Sequence, residues 1–220
     1  MVFKLAYLKA IIFTTSVLPL VRLCWLAVQD GLGANPVEAV IHSLGTWALV
    51  FLLLSLSMSP LRLALHAGWP LQLRRMLGLF AFFFATLHLL AYAGLDLWFD
   101  WNTILGDISK HPYVILGFTA FLLMLPLAAT SNQRAMKRMG RRWVQLHRLV
   151  YPVAVLAVLH FLWLVKKDLT EPLIYASVLL LLLLFRSRPC KSFLQGNSLS
   201  IASSQNHKQA GGSGGMGEAL

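Results

Sequence analysis

Charge is what this chain has least of. Only 12% of its 220 residues are Asp, Glu, Lys or Arg and just 8 are acidic, while 58% are hydrophobic and the mean hydropathy is +0.69. A soluble domain carries about 25% charged residues to keep its surface hydrated, so that class is excluded. Cysteine is scarce too: Cys24 falls late in the first apolar run and Cys190 follows the last, on opposite faces of any bilayer the runs cross. The two cannot pair, which excludes a disulfide scaffold. The one G-x-G-x-x-G string, GSGGMG at 212–217, lies in the Gly/Ser tail without the strand before it and the helix after it that the motif needs, so no fused dinucleotide domain is expected. The G-x-S-G of an intramembrane serine protease is missing from the apolar runs, and the only similar string, GGSGG, lies in the tail. Polar side chains that could line a transport path are few, and no internal repeat of the transporter kind is evident.

What is present is apolar length. A helix needs roughly 20 apolar residues to cross a bilayer, and six runs approach that: Ala10 to Val28, Ala39 to Met58, Met76 to Leu95, Tyr113 to Thr130, Leu149 to Val165 and Leu169 to Phe185. Lys4 and Lys9 ahead of the first run imitate a signal peptide. That run, about 19 residues without a small-residue cleavage pattern, is expected to be an uncleaved anchor. If the runs alternate, fifteen basic residues and Glu218 alone fall on one side, in the N-terminus, Ser59–Arg75, Ser131–Arg148 and the tail. The other side holds Arg22, Lys110, Lys166 and Lys167 with seven acids, Asp30, Glu38, Asp96, Asp100, Asp107, Asp168 and Glu171. The positive-inside rule therefore puts both termini in the cytoplasm. The net charge of +11 reports orientation in a lipid bilayer and no nucleic-acid partner. The expected fold is an all-α integral membrane protein, a six-transmembrane-helix bundle. Residues 1–9 form a cytoplasmic N-terminus, 10–186 the membrane domain, and 187–220 a Gly/Ser-rich tail expected to be disordered.

Chemistry then has to reside on side chains within the spans, where ionisable residues are costly. His88 and His160 lie in the third and fifth spans, about 8 residues before Asp96 and about 6 before Lys166, which at roughly 1.5 Å per residue is one depth in the outer half. A lone membrane histidine is most simply a packing residue satisfied by a carbonyl. Two at matched depth can supply both axial ligands to haem iron, inside a slot of Leu and Phe. His147 precedes His160 by 13 residues, roughly 20 Å along a helix and about 140° around it. Facing one haem column from both positions needs a distortion, which Pro152 can supply. His147 thus reads equally as an inner ligand or an interfacial histidine, because no histidine lies opposite it near Arg74 or Arg75. His42 reads as a further ligand or a hydrogen-bond donor, and His66, His111 and His207 as solvated. Trp98, Trp101 and Trp163 suit an interfacial belt.

The strings RRMLGLFAFFFATLHLLAY, HPYVILG and TSNQRAMKRMGRRWVQLHRLVYPVAVLAVLHFLWLVKKDLTEPLIYA give the chain a resemblance, from about Leu5 to Arg186. It is similar to the MsrQ (YedZ) family, haem-binding membrane subunits of the periplasmic methionine sulfoxide reductase system, within the ferric-reductase-like transmembrane superfamily that includes the NADPH oxidases. The resemblance implies an electron-transfer subunit that is not itself the enzyme. Electrons would pass from the quinone pool across the bacterial inner membrane, through b-type haem, to a molybdopterin enzyme, MsrP, that repairs oxidised proteins. It implies His88, His147 and His160 as haem ligands for one haem or two, and FMN as a second cofactor. The third span has one histidine where the oxidases have two. The basic segment Arg134 to Arg148 sets topology, or holds an FMN phosphate through Arg141 and Arg142, or docks an acidic reductase. Arg22 snorkels to the interface or acts as counter-ion to haem propionates. Two alternatives stand beside this reading: a haem-free anchor for a periplasmic partner, and a ferric-reductase-like subunit fed by a separate cytosolic flavin reductase.

Overall fold

The computed structural model describes residues 2–165 and 168–186. Lys166, Lys167, Cys190, His207, Glu218 and the expected tail lie outside the described residues. The helices in chain order are α1 (Val2–Val28), α2 (Pro36–Leu65), α3 (Pro70–Ala91), α4 (Trp101–Lys110), α5 (Pro112–Ala129), α6 (Gln133–Met139), α7 (Arg141–Leu146), α8 (Val150–Leu164) and α9 (Thr170–Arg186). A π turn, Tyr92–Asp96, continues α3, and a 3-10 turn, His147–Leu149, joins α7 to α8. No strand occurs among the described residues. The chain divides into two compact units, Met1–Leu179 and Leu180–Leu220, and the described part of the second is the helical end of α9.

Among the described residues, five stretches are long and apolar enough to cross a membrane: Ala6–Val28, Pro36–Leu65, Pro70–Asp96, Pro112–Ala129 and Arg141–Leu164. The sixth expected span is α9, equally apolar but 17 residues long. That gives about 25 Å at 1.5 Å per residue, against about 30 Å of hydrocarbon. The other departures from the sequence reading lie in the connections. Residues 59–75, expected as a loop, are the end of α2 and the start of α3, separated by only a tight turn. Leu65 is followed by His66 in the left-handed conformation (φ 49°), which closes α2, and Pro70 opens α3 with its φ already helical. At the other end of α2, the Asn35 side chain accepts from the Glu38 amide at 3.3 Å and its amide donates back to the Glu38 carboxylate at 2.9 Å, a reciprocal cap.

Within the first unit α2 packs along α3, and α5 along α8. These two hairpins meet along thinner seams, α3 against α5 and α2 against α8. Small residues permit the close approach: Ala81, Val153 and Ala154 are fully buried. Phe51 of α2 sits on Phe84 and Phe80 of α3, with ring centroids 5.3 and 5.6 Å apart, and Phe82 stacks on Phe121 across the α3–α5 seam at 5.7 Å. At the expected outer end, Trp98 and Phe99 both take left-handed backbone (φ 49° and 55°), and α4 then begins at Trp101. Trp98, Trp101 and Trp163 are exposed, as an interfacial belt requires.

Asp100 caps α4, and hydrogen bonds from the Thr103 hydroxyl and then the Asn102 amide hold its carboxyl below the usual carboxylate range. A depressed carboxyl contributes its cap fully above the ordinary range and loses it as pH falls through the depressed value. Amide hydrogen exchange across the first turn of α4 is therefore expected to speed up, relative to the intrinsic rate, in acid below that range. Asp100→Ala should show the fast behaviour already at neutral pH.

Candidate histidine site between two helix hairpins

The sequence singled out two histidines at one depth, and the structure brings them together. His88 on α3 and His160 on α8 have ring centroids 6.2 Å apart and planes at 80°. Each ring is held from behind by the backbone of the helix its own helix packs on. His88 Nδ1–H donates to the Ile41 carbonyl of α2 at 2.9 Å, and His160 Nδ1–H donates to the Tyr113 carbonyl of α5 at 2.6 Å. A carbonyl only accepts, so Nδ1 must carry the proton in both rings, and Nε2 is left with its lone pair. Helical carbonyls already receive the amide four residues on, here Gly45 and Gly117, and the second lone pair takes the imidazole.

Those two glycines are the residues that sequence reasoning missed. A Cβ on Gly45 would stand 3.0 Å from His88 Nδ1 and Cε1, and one on Gly117 would stand 2.8 Å from His160 Nδ1. The space each leaves is what lets an imidazole lie flat over a helix and reach its backbone. A signal was available: the carbonyl acceptor precedes its histidine by 47 residues in both hairpins, with the glycine one turn after the acceptor. The two halves are built alike, a repetition that composition and hydropathy do not display.

The residues fit haem. An iron bonded at about 2 Å to the Nε2 of two opposed imidazoles separates their ring centroids by roughly 6 Å, close to the observed spacing. The backbone-fixed Nδ1–H is the orienting contact that metal-ligating histidines make. Among the described residues, no group of three or more His, Cys, Asp or Glu gathers to hold an ion. Two protein ligands suffice when a macrocycle supplies the other four.

At the other end of α8 the arrangement differs. The helix is interrupted at His147 by the 3-10 turn, and Pro152 falls in the first turn of α8, where a missing N–H costs nothing. His147 stacks on Trp143 (centroids 3.9 Å, 24°) and its Nδ1–H donates to the Trp143 carbonyl at 3.1 Å, while Trp143 Nε1 donates to Thr130. His147 Nε2 is buried and carries no hydrogen bond. Arg74 of α3 is near enough to act on it electrostatically.

Of the remaining candidates His42, next to Ile41, is near enough to His88 to act on it electrostatically. Arg22 is exposed on α1, and Arg141 and Arg142 are exposed on the first turn of α7. His42 lies 5.6 Å from Phe161 and lines an open cavity of about 530 Å³ with Glu38, Thr46, Trp47 and Glu171. His111, expected to be simply solvated, instead pairs with Asp107 at 2.9 Å.

Residues 44–158 match the family described as ferric reductase like transmembrane component, a stretch that takes in His88 and His147 and stops short of His160. The chain is 52% identical over 179 residues to the protein-methionine-sulfoxide reductase heme-binding subunit MsrQ of Rhodospirillum rubrum, covering 81% of this chain and 86% of that one. It is 48% identical over 181 residues to the same-named subunit of Bordetella pertussis, covering 81% and 88%. With that of Xanthomonas oryzae pv. oryzae it shares 50% over 163 residues, covering 74% and 75%. No solved structure matches.

Gly117→Ala should force the His160 ring off its carbonyl and lower stability by about 1–3 kcal/mol, as overpacking does. Gly45→Ala should cost less, its contact being looser. Gly106→Ala, where nothing lies within 4 Å of the added carbon, should be neutral or stabilising, since alanine is the better helix former by about 1 kcal/mol. Thermal unfolding in detergent would order the three.

Proposed function

The chain belongs to the MsrQ family of heme-binding subunits, with a ferric reductase like transmembrane component, and from that premise we propose that it carries electrons across a membrane through haem held between His88 and His160. The observation that carries the proposal is the facing of two imidazoles whose Nδ1–H groups are both tied to neighbouring backbone. Held by His88 and His160, haem would supply one-electron transfer rather than oxygen binding. The protein's part is orientation and exclusion of water. Ile41 and Tyr113 fix the tautomer, Gly45 and Gly117 make room, and the Phe51, Phe80 and Phe84 cluster keeps α2 and α3 closed and dry below the pair.

We place one haem at this pair and none at His147, because the third span offers no histidine near Arg74 or Arg75 to be the second ligand, and a guanidinium has no lone pair to give. The proposed orientation has six spans, both termini in the cytoplasm of a bacterial cell and the His88–His160 pair near the periplasmic face of the inner membrane. The segregation of basic residues supports it. The proposed donor is the quinone pool, and the proposed acceptor is a periplasmic molybdopterin methionine sulfoxide reductase, MsrP. The basic surface of α6 and α7 is where the phosphate of FMN would be held, by Arg141 and Arg142.

Protein purified with haem supply should show a low-spin b-type absorption spectrum at one haem per chain. His88→Ala and His160→Ala should each abolish it, and His147→Ala should leave both spectrum and stoichiometry in place. A colourless wild-type preparation would favour a haem-free anchor. Alkaline phosphatase fused after Arg186 should be inactive, and fused within the Trp98–Asp100 turn active; the reverse pattern overturns the orientation.

A further inference from the structure

A carboxylate that neither the family match nor the sequence reading used ties the two ligand-bearing halves together at the end where the histidines meet. Tyr92 stands four residues after His88, one turn further out on the same face of α3 and its π turn. Its hydroxyl donates to Asp107 Oδ2. The other oxygen, Oδ1, accepts from His111 Nδ1 at 2.9 Å. His111 caps the start of α5, and its ring packs on Tyr113 with centroids 5.3 Å apart. Tyr113 closes the circuit, for its carbonyl holds His160 Nδ1 and its ring lies 6.2 Å from the His160 ring. One residue of α4 thus reaches the helix of the first histidine by one oxygen and the support of the second by the other.

We propose that Asp107 is a positioning residue for the His88–His160 pair, its carboxylate stapling the outer end of the helix that carries His88 to the helix start that orients His160. The inference rests on the reading of the pair as a haem-iron site.

Three further observations support it. The α3–α5 seam that Asp107 spans is thin, so the relative position of the hairpins is not fixed there by extensive packing alone. Both carboxylate oxygens are committed and the Asp107 side chain is only 25% exposed, so the carboxylate itself is partly sheltered while the His111 ring is 44% exposed. The opposite half needs no such staple, because Ile41 lies well inside α2, whose start is capped by Asn35. Tyr113, in contrast, is the second residue of α5, at a helix end that would otherwise fray.

What the staple sets is the angle between the imidazole planes, 80° in the structure. Low-temperature EPR of the oxidised haem protein reads that angle, because near-perpendicular imidazoles give a highly anisotropic low-spin signal and parallel ones a rhombic signal. The wild type is expected to show the first. Asp107→Ala should shift the signal of the haem it retains toward the rhombic form and move the midpoint potential. Asp107→Asn keeps an oxygen for Tyr92 and an amide for His111, and should stay close to wild type. Tyr92→Phe removes a single oxygen and should shift the signal in the same direction by less, and this variant decides the matter if Asp107→Ala cannot be purified. Loss of haem from either variant with the signal and potential of the remainder unchanged would make Asp107 merely structural and overturn the proposal. A wild type without any low-spin signal would instead defeat the haem reading itself.

Discussion

An imidazole inside a membrane has two ring nitrogens and no water to satisfy them, and the way each histidine meets that constraint organises the structure. One nitrogen donates to a carbonyl that belongs to a neighbouring helix. The bond removes the proton's freedom, fixes which nitrogen keeps its lone pair, and aims that lone pair away from the supporting helix. With one such bond behind each ring, the two imidazoles come to 6.2 Å of each other, centroid to centroid, between the hairpins, each with an unprotonated Nε2. The glycines, the hairpin pairing and the sparse packing along the seams all follow from that geometry: the support must be close, and the space in front must remain open.

How much of this was legible in the sequence depends on what each part is made of. Apolar length revealed the membrane helices, since the bilayer imposes a physical scale on it. The matched depths of His88 and His160 revealed the pair, since helical rise converts counting into distance. Ile41 and Tyr113 were invisible because they act through backbone, which every residue has. Gly45 and Gly117 contribute by lacking a side chain, and a glycine in an apolar helix has several other possible reasons to be there. Asp107 looked like one more acid of the outer face, because nothing in the sequence shows that a loop between two spans folds into a helix and turns that carboxylate inward. The connections at 59–75 and 131–148 were expected as charged loops, and turned out largely helical because charge alone does not oppose a helix when caps and turns are supplied.

The two ends of α3 and α8 show what a change of one side chain does to a repeated design. At one end, imidazole faces imidazole. At the other, the ring of His147 lies flat on Trp143 and shares its surroundings with Arg74, whose guanidinium can only donate. The same helices therefore present two neighbouring imidazoles at one depth and a cationic corner at the other. The 3-10 turn at His147 belongs to this difference, for it breaks the regular helix that would carry one face continuously from end to end.

The thin seams between the hairpins have a consequence for assembly. His88 and His160 sit on separate helix pairs, and the first pair precedes the second in the chain. Any group that joins the two rings acts as a non-covalent cross-link that only the docked pair of hairpins can accept. By mass action, such a ligand at a hundred times its dissociation constant adds about 2.7 kcal/mol to the docked state over the undocked one. On the proposed reading, cofactor supply would set how much of the protein is held in the docked state, quite apart from how fast any electron moves.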